Sequence, residues 1–236
     1  MTKFDGQICG RQLPQFPSER SAAMSGFMRG RVYVCGGSSG GFDNSVVHND
    51  CAAALASNPA KGWVSIPKLP INTTHAAHTV LNNKLFVFGG YQKPACGYRP
   101  EVQIFNSKNQ QWTANPKNDP PEHIGAYGCS ISAGNFIFVI GGWFPALAYT
   151  SSCKEDLSNE ELSAVNKEYS YFHDRVQIFD TKKSSWLQGP NLLTRRRNHG
   201  CTLVDVGGRY VGFYNEIAMC NLSVILGNHG SWWLQQ

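Results

Sequence analysis

A short apolar run that ends in two glycines occurs three times in this sequence. The runs are VYVCGG, LFVFGG and IFVIGG, which end at Gly37, Gly90 and Gly142, so that successive copies lie 53 and 52 residues apart. A period of about 50 residues is typical of repeat proteins, in which each repeat forms one supersecondary unit. This repetition limits the choice of fold more than any other property of the chain.

A second signature follows the glycines in two of the repeats. VQIFNSKNQQW ends at Trp112 and VQIFDTKKSSW ends at Trp186, with the same seven-residue step from Phe to Trp, and Trp63 stands in the equivalent place of the first repeat. We expect Trp112 and Trp186 to lie largely buried between neighbouring repeats. The repeat motif therefore comprises Gly36, Gly37, Gly89, Gly90, Gly141, Gly142, Trp63, Trp112 and Trp186.

Each repeat can be divided into four short strands, named a to d in chain order. In the second repeat they are predicted at about residues 75–81, 84–88, 102–105 and 111–114, with a hairpin turn at Asn82-Asn83. The second and third strands are rich in Val, Ile and Phe, as strands packed on both faces should be. The glycines permit backbone angles and close packing that a side chain would prevent.

Four antiparallel strands repeated with this motif resemble the kelch repeat. The resemblance implies an all-β fold, a kelch-type β-propeller with about four four-stranded antiparallel blades. We expect an N-terminal extension at 1–11 and a propeller at 12–236, with blades at about 12–65, 66–114, 115–188 and 189–236.

The fourth repeat is eroded. His199 lies 14 residues before Phe213, just as His75 lies 14 residues before Gly89, so Phe213-Tyr214 is predicted at the place of a double glycine. Kelch rings usually have five to seven blades. A small closed ring, an open fragment and an incomplete product all remain open as interpretations.

The strand order predicts that the b–c loops and the d–a connections share one face. The b–c loops are long, at 38–46, 91–100 and 143–173, and long loops on a rigid scaffold commonly carry binding functions. Within the third, SNEE at 158–161 is typical of a helix start and predicts a short helix to about residue 165, inside 154–168.

Kelch adaptors grip acidic peptides with arginines near the start of strand a, and this resemblance implies a similar use here. The predicted partner-binding residues are Arg20, Tyr91, His123, Trp143, Arg195, Arg196 and Arg197. Arginine suits the role because its planar guanidinium forms bidentate hydrogen bonds with carboxylates. The predicted function is a non-catalytic module that binds a partner protein, or an acidic or phosphorylated peptide. Such a module would act as a substrate adaptor, including association with a ubiquitin ligase, or as an actin-associated scaffold.

The alternative function is a propeller enzyme that acts on a sugar, as an epimerase or oxidase. The sequence contains no GxSxG, HExxH, P-loop or dinucleotide motif, so we predict no enzyme, no catalytic residues and no cofactor. His75 and His78 point to opposite faces of a strand, and no CxxC pair is present, so no metal site is expected.

The remaining expectations follow from composition. The net charge of +5, without a basic stripe, indicates no nucleic-acid partner. No apolar segment is long enough for a signal peptide or a membrane span, so we expect no membrane association and a cytoplasmic location. The eight cysteines are irregularly spaced and predict no clear disulfide framework; Cys129 and Cys201 are interpreted as small buried apolar residues at equivalent repeat positions.

Overall fold

The computed structural model describes residues 13–40, 46–93, 96–98, 100–121, 124–144, 171–206, 209–215, 223–226 and 232–235. Regular structure in these residues is β-strand, apart from two single 3-10 turns at Pro59–Lys61 and Pro116–Asn118. The described residues thus confirm an all-β fold. The short helix expected at 158–165 lies outside them.

Three four-stranded antiparallel sheets follow one another as blades 1 to 3. The strands of blade 1 are β1 (Met24–Met28), β2 (Arg31–Cys35), β5 (Cys51–Leu55) and β6 (Trp63–Ile66), and a small ribbon of β3 (Ser38–Ser39) and β4 (Val46–Val47) lies within its b–c loop. Blade 2 contains β7 (Ala77–Leu81), β8 (Lys84–Phe88), β11 (Val102–Asn106) and β12 (Gln111–Ala114), with a ribbon of β9 (Tyr91–Lys93) and β10 (Cys96–Tyr98). Blade 3 contains β13 (Cys129–Ala133), β14 (Phe136–Phe144), β15 (Tyr171–Asp180) and β16 (Ser185–Gln188).

The described residues of the fourth repeat form two hairpins rather than one four-stranded sheet. The first hairpin pairs β17 (Gly200–Val206) with β18 (Arg209–Asn215), and the second pairs β19 (Ser223–Leu226) with β20 (Trp232–Gln235). The first strands β1, β7, β13 and β17 contact each other in this order, whereas the described strands of the fourth repeat make no comparable contact with blade 1. The ring is not closed, which agrees with the expectation of an incomplete propeller.

Apolar side chains fill the boundary between each pair of neighbours. Between blades 1 and 2 the core includes Met24, Met28, Tyr33, Leu85, Val87 and Phe105. Between blades 2 and 3 it includes Phe86, Phe88, Val102, Ile137, Val139 and Phe179. Leu85 to Phe88 are all buried because β8 is a central strand with a neighbouring blade on each side. Most of the fold's hydrophobic stabilisation therefore lies between blades.

The double glycines allow the chain to pass closely beneath the neighbouring connection. Gly89 and Gly90 have φ angles of 65° and 90°, in the region that favours glycine. A Cβ atom on Gly90 would lie 2.3 Å from the Thr73 hydroxyl oxygen. A side chain at this position would therefore displace the connection that enters blade 2.

A belt of backbone hydrogen bonds links the four repeats just before their first strands. The amide of His75 donates to Ala22, that of Tyr127 to His75, and that of Asn198 to Tyr127, at 3.2, 2.8 and 2.8 Å. These four residues share a positive φ between 48° and 61°. We call Ala22, His75, Tyr127 and Asn198 the belt residues.

The belt corrects the sequence alignment of the fourth repeat. Asn198, and not His199, is the structural equivalent of His75. The strands β17 and β18 each have seven residues where β7 and β8 have five, so equal spacing along the sequence is misleading. Phe213-Tyr214 therefore lie inside β18, paired with Thr202 and Cys201, rather than at the place of a double glycine.

Hydrogen bonds from the repeat tryptophans join the outer strands to the connections. Trp63, Trp112 and Trp186 donate indole hydrogen bonds to the carbonyls of Pro14, Pro67 and Asn118, at 2.8, 2.9 and 2.7 Å. Trp112 and Trp186 pack against the cores between blades, as expected, but they are half-buried because their outer edges remain accessible.

A disulfide bond joins Cys35 to Cys51 across the central strands of blade 1. The spacing of the cysteines did not indicate it; the two residues are opposite partners in the register of β2 and β5, with a Cα–Cα distance of 4.1 Å. Disulfides of this kind persist in oxidising environments. In the described part of the chain, no helix has the length and apolarity needed to cross a membrane.

Candidate functional site

The loops that follow the double glycines lie beside the connections that enter each blade. Three isolated β-bridges join them, pairing Ser21 with Ser38, Thr74 with Tyr91 and Ala126 with Trp143. The connection that enters the fourth repeat joins the same face, because Gly142 donates a backbone hydrogen bond to Arg196. We call this surface the connection face.

Aromatic rings gather on the connection face at blades 2 and 3. The His75 ring stacks on Tyr91, with centroids 5.2 Å apart and planes at 11°, and its centroid lies 4.2 Å from that of Tyr127. The hydroxyl oxygens of Tyr91 and Tyr127 are 3.3 Å apart, and Trp143 packs edge-on against Tyr127. His75, Tyr91, Tyr127 and Trp143, with Phe172 beside them on β15, form what we call the aromatic cluster.

The guanidinium group of Arg197 lies over three rings of this cluster. Its central carbon is 5.7 Å from the Tyr127 ring, 5.3 Å from Trp143 and 4.8 Å from Phe172. A cation over aromatic faces is attracted by their quadrupoles, by about 0.5–2 kcal/mol per pair depending on exposure. The rings therefore hold the positive charge in a defined position at the surface.

The other two arginines of the connection differ in exposure. Arg195 is exposed, whereas Arg196 is half-buried and donates from Nε to the Thr194 carbonyl. Among the described residues, none of the three arginines forms a salt bridge. Their positive charge is therefore not neutralised by a described carboxylate.

Arg20 has a different environment. Its side chain is only 6% exposed, pairs with the Asp50 carboxylate and donates to the Gly36 carbonyl at 2.9 Å. Burial raises the pKa of Asp50, but the hydrogen bond and charge of Arg20 outweigh this effect and hold that pKa below its ordinary value. The guanidinium of Arg20 is thus engaged within blade 1.

Burial keeps the ionisable rings of the connection face neutral. It lowers the pKa of His75 to about 4. The pKa of His199 is also lowered to about 4, chiefly by burial and then by the nearby charge of Arg196. Burial, followed by the hydrogen bond with Tyr127, raises the pKa of Tyr91. At neutral pH these rings therefore contribute no charge to the connection face.

The structure brings together only some of the predicted binding residues. Tyr91, Trp143 and Arg197 meet around Tyr127, and Arg195 and Arg196 belong to the same connection. Arg20 lies apart on blade 1, and His123 lies outside the described residues. Sequence reasoning missed Tyr127 and Phe172. Aligning the repeats on their belt residues would have indicated Tyr127, because in the third repeat it occupies the position that His75 has in the second.

Within the described ranges, no group of three or more His, Cys, Asp or Glu side chains is arranged to hold a metal ion. The arrangement that does exist is a fixed positive charge beside aromatic rings. Such a surface can bind an anionic group by charge-assisted hydrogen bonds and an apolar group by ring contact.

The fold and the repeat geometry define a kelch-type β-propeller. Residues 73–114, which contain the second blade, match the family model described as the Kelch motif. The chain therefore carries a Kelch motif in its second blade and resembles kelch-repeat proteins in its fold.

Three curated proteins resemble the chain over most of its length. A Kelch domain-containing protein of Vibrio cholerae is 29% identical over 160 residues, which covers 66% of this chain and 40% of that protein. Kelch-like protein 23 of Pongo abelii is 25% identical over 60% of this chain and 29% of its own. N-acetylneuraminate epimerase 1 of Escherichia coli is 20% identical over 78% of this chain and 50% of its own.

The solved structure of a protein called YjhT has the same fold, with a TM-score of 0.62 and 16% sequence identity. The match covers 85% of this chain and 61% of that one. The chain spans between about a third and a half of the length of the curated relatives it matches.

Proposed function

We propose that this protein is a non-catalytic interaction module that binds an acidic or phosphorylated peptide on the connection face. Kelch propellers generally serve protein–protein interaction, and the observation that carries the proposal here is the position of Arg197 over three aromatic rings. A substrate adaptor, with a ubiquitin-ligase partner, or an actin-associated scaffold is the form of this function that the family suggests.

Arg197 is preorganised for an anion. Contacts with the faces of Tyr127, Trp143 and Phe172 fix the guanidinium without using a described carboxylate as partner. A side chain that is already fixed loses less entropy when it forms a pair of hydrogen bonds with a carboxylate or phosphate. Exposed Arg195 supplies a second charge close by, which would steer an acidic partner towards the face.

Apolar side chains accompany these charges. Leu193 is 76% exposed in the same connection, and Phe172 is 41% exposed at the edge of the aromatic cluster. Interfaces commonly combine arginine with aromatic or aliphatic anchors that exclude water. The peptide we propose therefore carries an apolar residue next to its acidic groups.

The test measures binding to an array of synthetic peptides that carry Glu, Asp or phosphoserine, each with a Gln, Asn or Ser counterpart. We expect acidic members to bind and neutral members to fail. Changing Arg195, Arg196 and Arg197 together to Glu should reduce binding at least tenfold, which corresponds to about 1.4 kcal/mol.

The matched control is the double variant K182E/K183E, which also reverses lysine charges on a loop, but on the opposite face. If this variant loses the peptides and the arginine variant keeps them, the connection face is not the binding surface. Circular dichroism of both variants checks that the fold is intact.

The second candidate function is an enzyme acting on a sugar. The resemblance to N-acetylneuraminate epimerase 1 favours it, together with a cluster in which the neutral rings of His75 and Tyr91 lie beside Tyr127, the ring that Arg197 contacts. Incubation with N-acetylneuraminate and measurement of anomer exchange by NMR separates the two functions. Exchange faster than in a buffer control, and lost in the arginine variant, would displace the interaction proposal.

A further inference from the structure

Two free thiols face each other across the boundary between blade 3 and the fourth repeat. Cys129 begins β13 and Cys201 lies near the start of β17, and these two strands contact each other. Both side chains are half-buried and pack against the same apolar cluster, and the neighbouring Cys201 thiol contributes to raising the pKa of Cys129.

The repeat geometry explains why they meet. On β1, the fourth residue after the belt residue faces blade 2 and opposes the fifth residue after the next belt residue. Gly26 and Val80 show this relation, since a Cβ atom on Gly26 would lie 2.5 Å from a Val80 methyl carbon. The same offset places the second residue, Cys129, opposite the third residue of the next repeat, Cys201. The two cysteines are therefore facing partners, rather than equivalent residues as the sequence suggested.

We propose that Cys129 and Cys201 form a disulfide bond between blades when the protein meets a small-molecule disulfide such as oxidised glutathione. One protein thiolate attacks a glutathione sulfur, so that a mixed disulfide forms and one glutathione thiol leaves. The second protein thiolate then attacks the protein sulfur of that mixed disulfide and releases the second glutathione. The two protein thiols give up two protons and two electrons, and one oxidised glutathione becomes two reduced molecules.

The disulfide bond would lie outside the connection face but would restrict the connection that carries its arginines. The connection at 189–199 runs from β16 to β17 and carries the three arginines, and Cys201 lies immediately after it. A covalent link to β13 would fix the end of this connection against blade 3. The inference does not rest on the proposed peptide binding, because its measurement involves only thiols.

Burial affects the expected rate. It raises the pKa of the Cys129 thiol, and the neighbouring Cys201 thiol acts in the same direction. Since the thiolate is the attacking species, the reaction should accelerate as the pH is raised from neutral to mildly alkaline values. Because the two thiols lie on contacting strands and pack against one apolar cluster, ring closure is favoured over a lasting mixed disulfide.

The test incubates the full chain with mixtures of oxidised and reduced glutathione and traps free thiols with a maleimide. Peptide mapping by mass spectrometry then identifies the linked residues, with a digestion that separates Cys129 from Cys153. Beside the bond of blade 1, the expected result is a cross-linked peptide joining Cys129 to Cys201, with the loss of two hydrogen atoms and no glutathione retained on either residue.

The control variants are C129S and C201S. In each variant, the remaining thiol of the pair should either carry one glutathione or stay free and react with maleimide. Three outcomes would overturn the proposal: lasting glutathione adducts on both thiols of the native chain, pairing of either cysteine with another residue, or two unreacted thiols at full oxidation of the buffer. Because the native chain gives the deciding result, a variant that folds poorly does not weaken the test.

Discussion

The indole nitrogen of Trp186 donates a 2.7 Å hydrogen bond to the backbone carbonyl of Asn118, which joins the outer strand of blade 3 to the connection that leaves blade 2. The Trp186 ring also packs against Phe88 and Phe179, with centroids 5.7 and 5.0 Å away. One side chain thus contributes both to the core between two blades and to the position of the chain that connects them.

Replacing Trp186 with Ala should lower the free energy of unfolding by about 2–4 kcal/mol, since a large aromatic side chain is lost from a half-buried site. Trp186→Phe keeps an aromatic ring but removes the donor to Asn118, and should cost about 1 kcal/mol. Urea unfolding followed by circular dichroism measures both. Equal losses for the two variants would show that the hydrogen bond, and not the ring packing, carries the contribution of Trp186.

Protonation of His75 should destabilise the fold. Its pKa is lowered from 6.5 to about 4 by burial, so between these values the unfolded chain binds more protons, and stability falls as the pH falls. Because the ring is only half-buried, we expect a loss of about 1–2 kcal/mol rather than the full value of the shift.

His75→Asn is the matched variant, since Asn198 occupies the same belt position and asparagine tolerates a positive φ. Urea unfolding at pH 7.5 and pH 5 should show a smaller loss of stability on acidification for this variant than for the native chain. An unchanged pH dependence would mean that the His75 imidazole is not the group whose charge is penalised.

The pair of Arg20 and Asp50 should stabilise the fold above about pH 4. The folded-state pKa of Asp50 is depressed, so this stabilisation is complete above the unfolded value and is lost as the pH falls through the folded value. Arg20→Ala should cost about 2 kcal/mol at pH 7, because it also removes a donor to the Gly36 carbonyl.

Asp50→Asn separates the two contributions of Arg20, since it removes the carboxylate and leaves the donor to Gly36 in place. We expect it to cost less than Arg20→Ala at pH 7 and to abolish the acid-dependent part of the loss. Thermal unfolding at pH 7 and pH 3.5 makes the comparison. If neither variant differs from the native chain at pH 7, the buried guanidinium does not stabilise blade 1.

Removing the disulfide with C35A/C51A should cost about 3 kcal/mol, the value for a closed loop of this size, since the two residues are 16 apart in sequence. Urea unfolding is measured with and without reductant in a C129S background, so that only the bond of blade 1 is affected. Reductant should destabilise the background protein and leave the triple variant unchanged. A reductant effect that survives in the triple variant would point to another disulfide as the source.

The repeat made the fold predictable from sequence, because each blade encodes its strands with the same local signals. The double glycines and the tryptophans mark the ends of β8 and the position of β12, and both signals are short-range. The fourth repeat was misaligned for the opposite reason. Its hairpin is longer, and the hydrogen bond from Asn198 to Tyr127 and the positive φ of Asn198 identify where the repeat begins.

The site was less predictable because its residues meet through contacts between blades. The sequence shows that Arg197 is basic, but it does not show that Tyr127, Trp143 and Phe172 surround it. Arg20 presents the converse problem. Its position resembles that of a partner-binding arginine, yet the nearby carboxylate of Asp50 comes from a loop 30 residues further along the chain.

The belt residues Ala22, His75, Tyr127 and Asn198 fix the geometry of the chain where each repeat begins. The first hairpin of each repeat extends away from the belt, and its length can vary. The extra residues of β17 and β18 extend the hairpin away from Asn198, towards its turn, and leave the bond to Tyr127 in place. Insertions at the a–b turns can therefore accumulate without shifting the start of any blade. The spatial relation between one connection and the next is set blade by blade, whatever the length of the strands behind it.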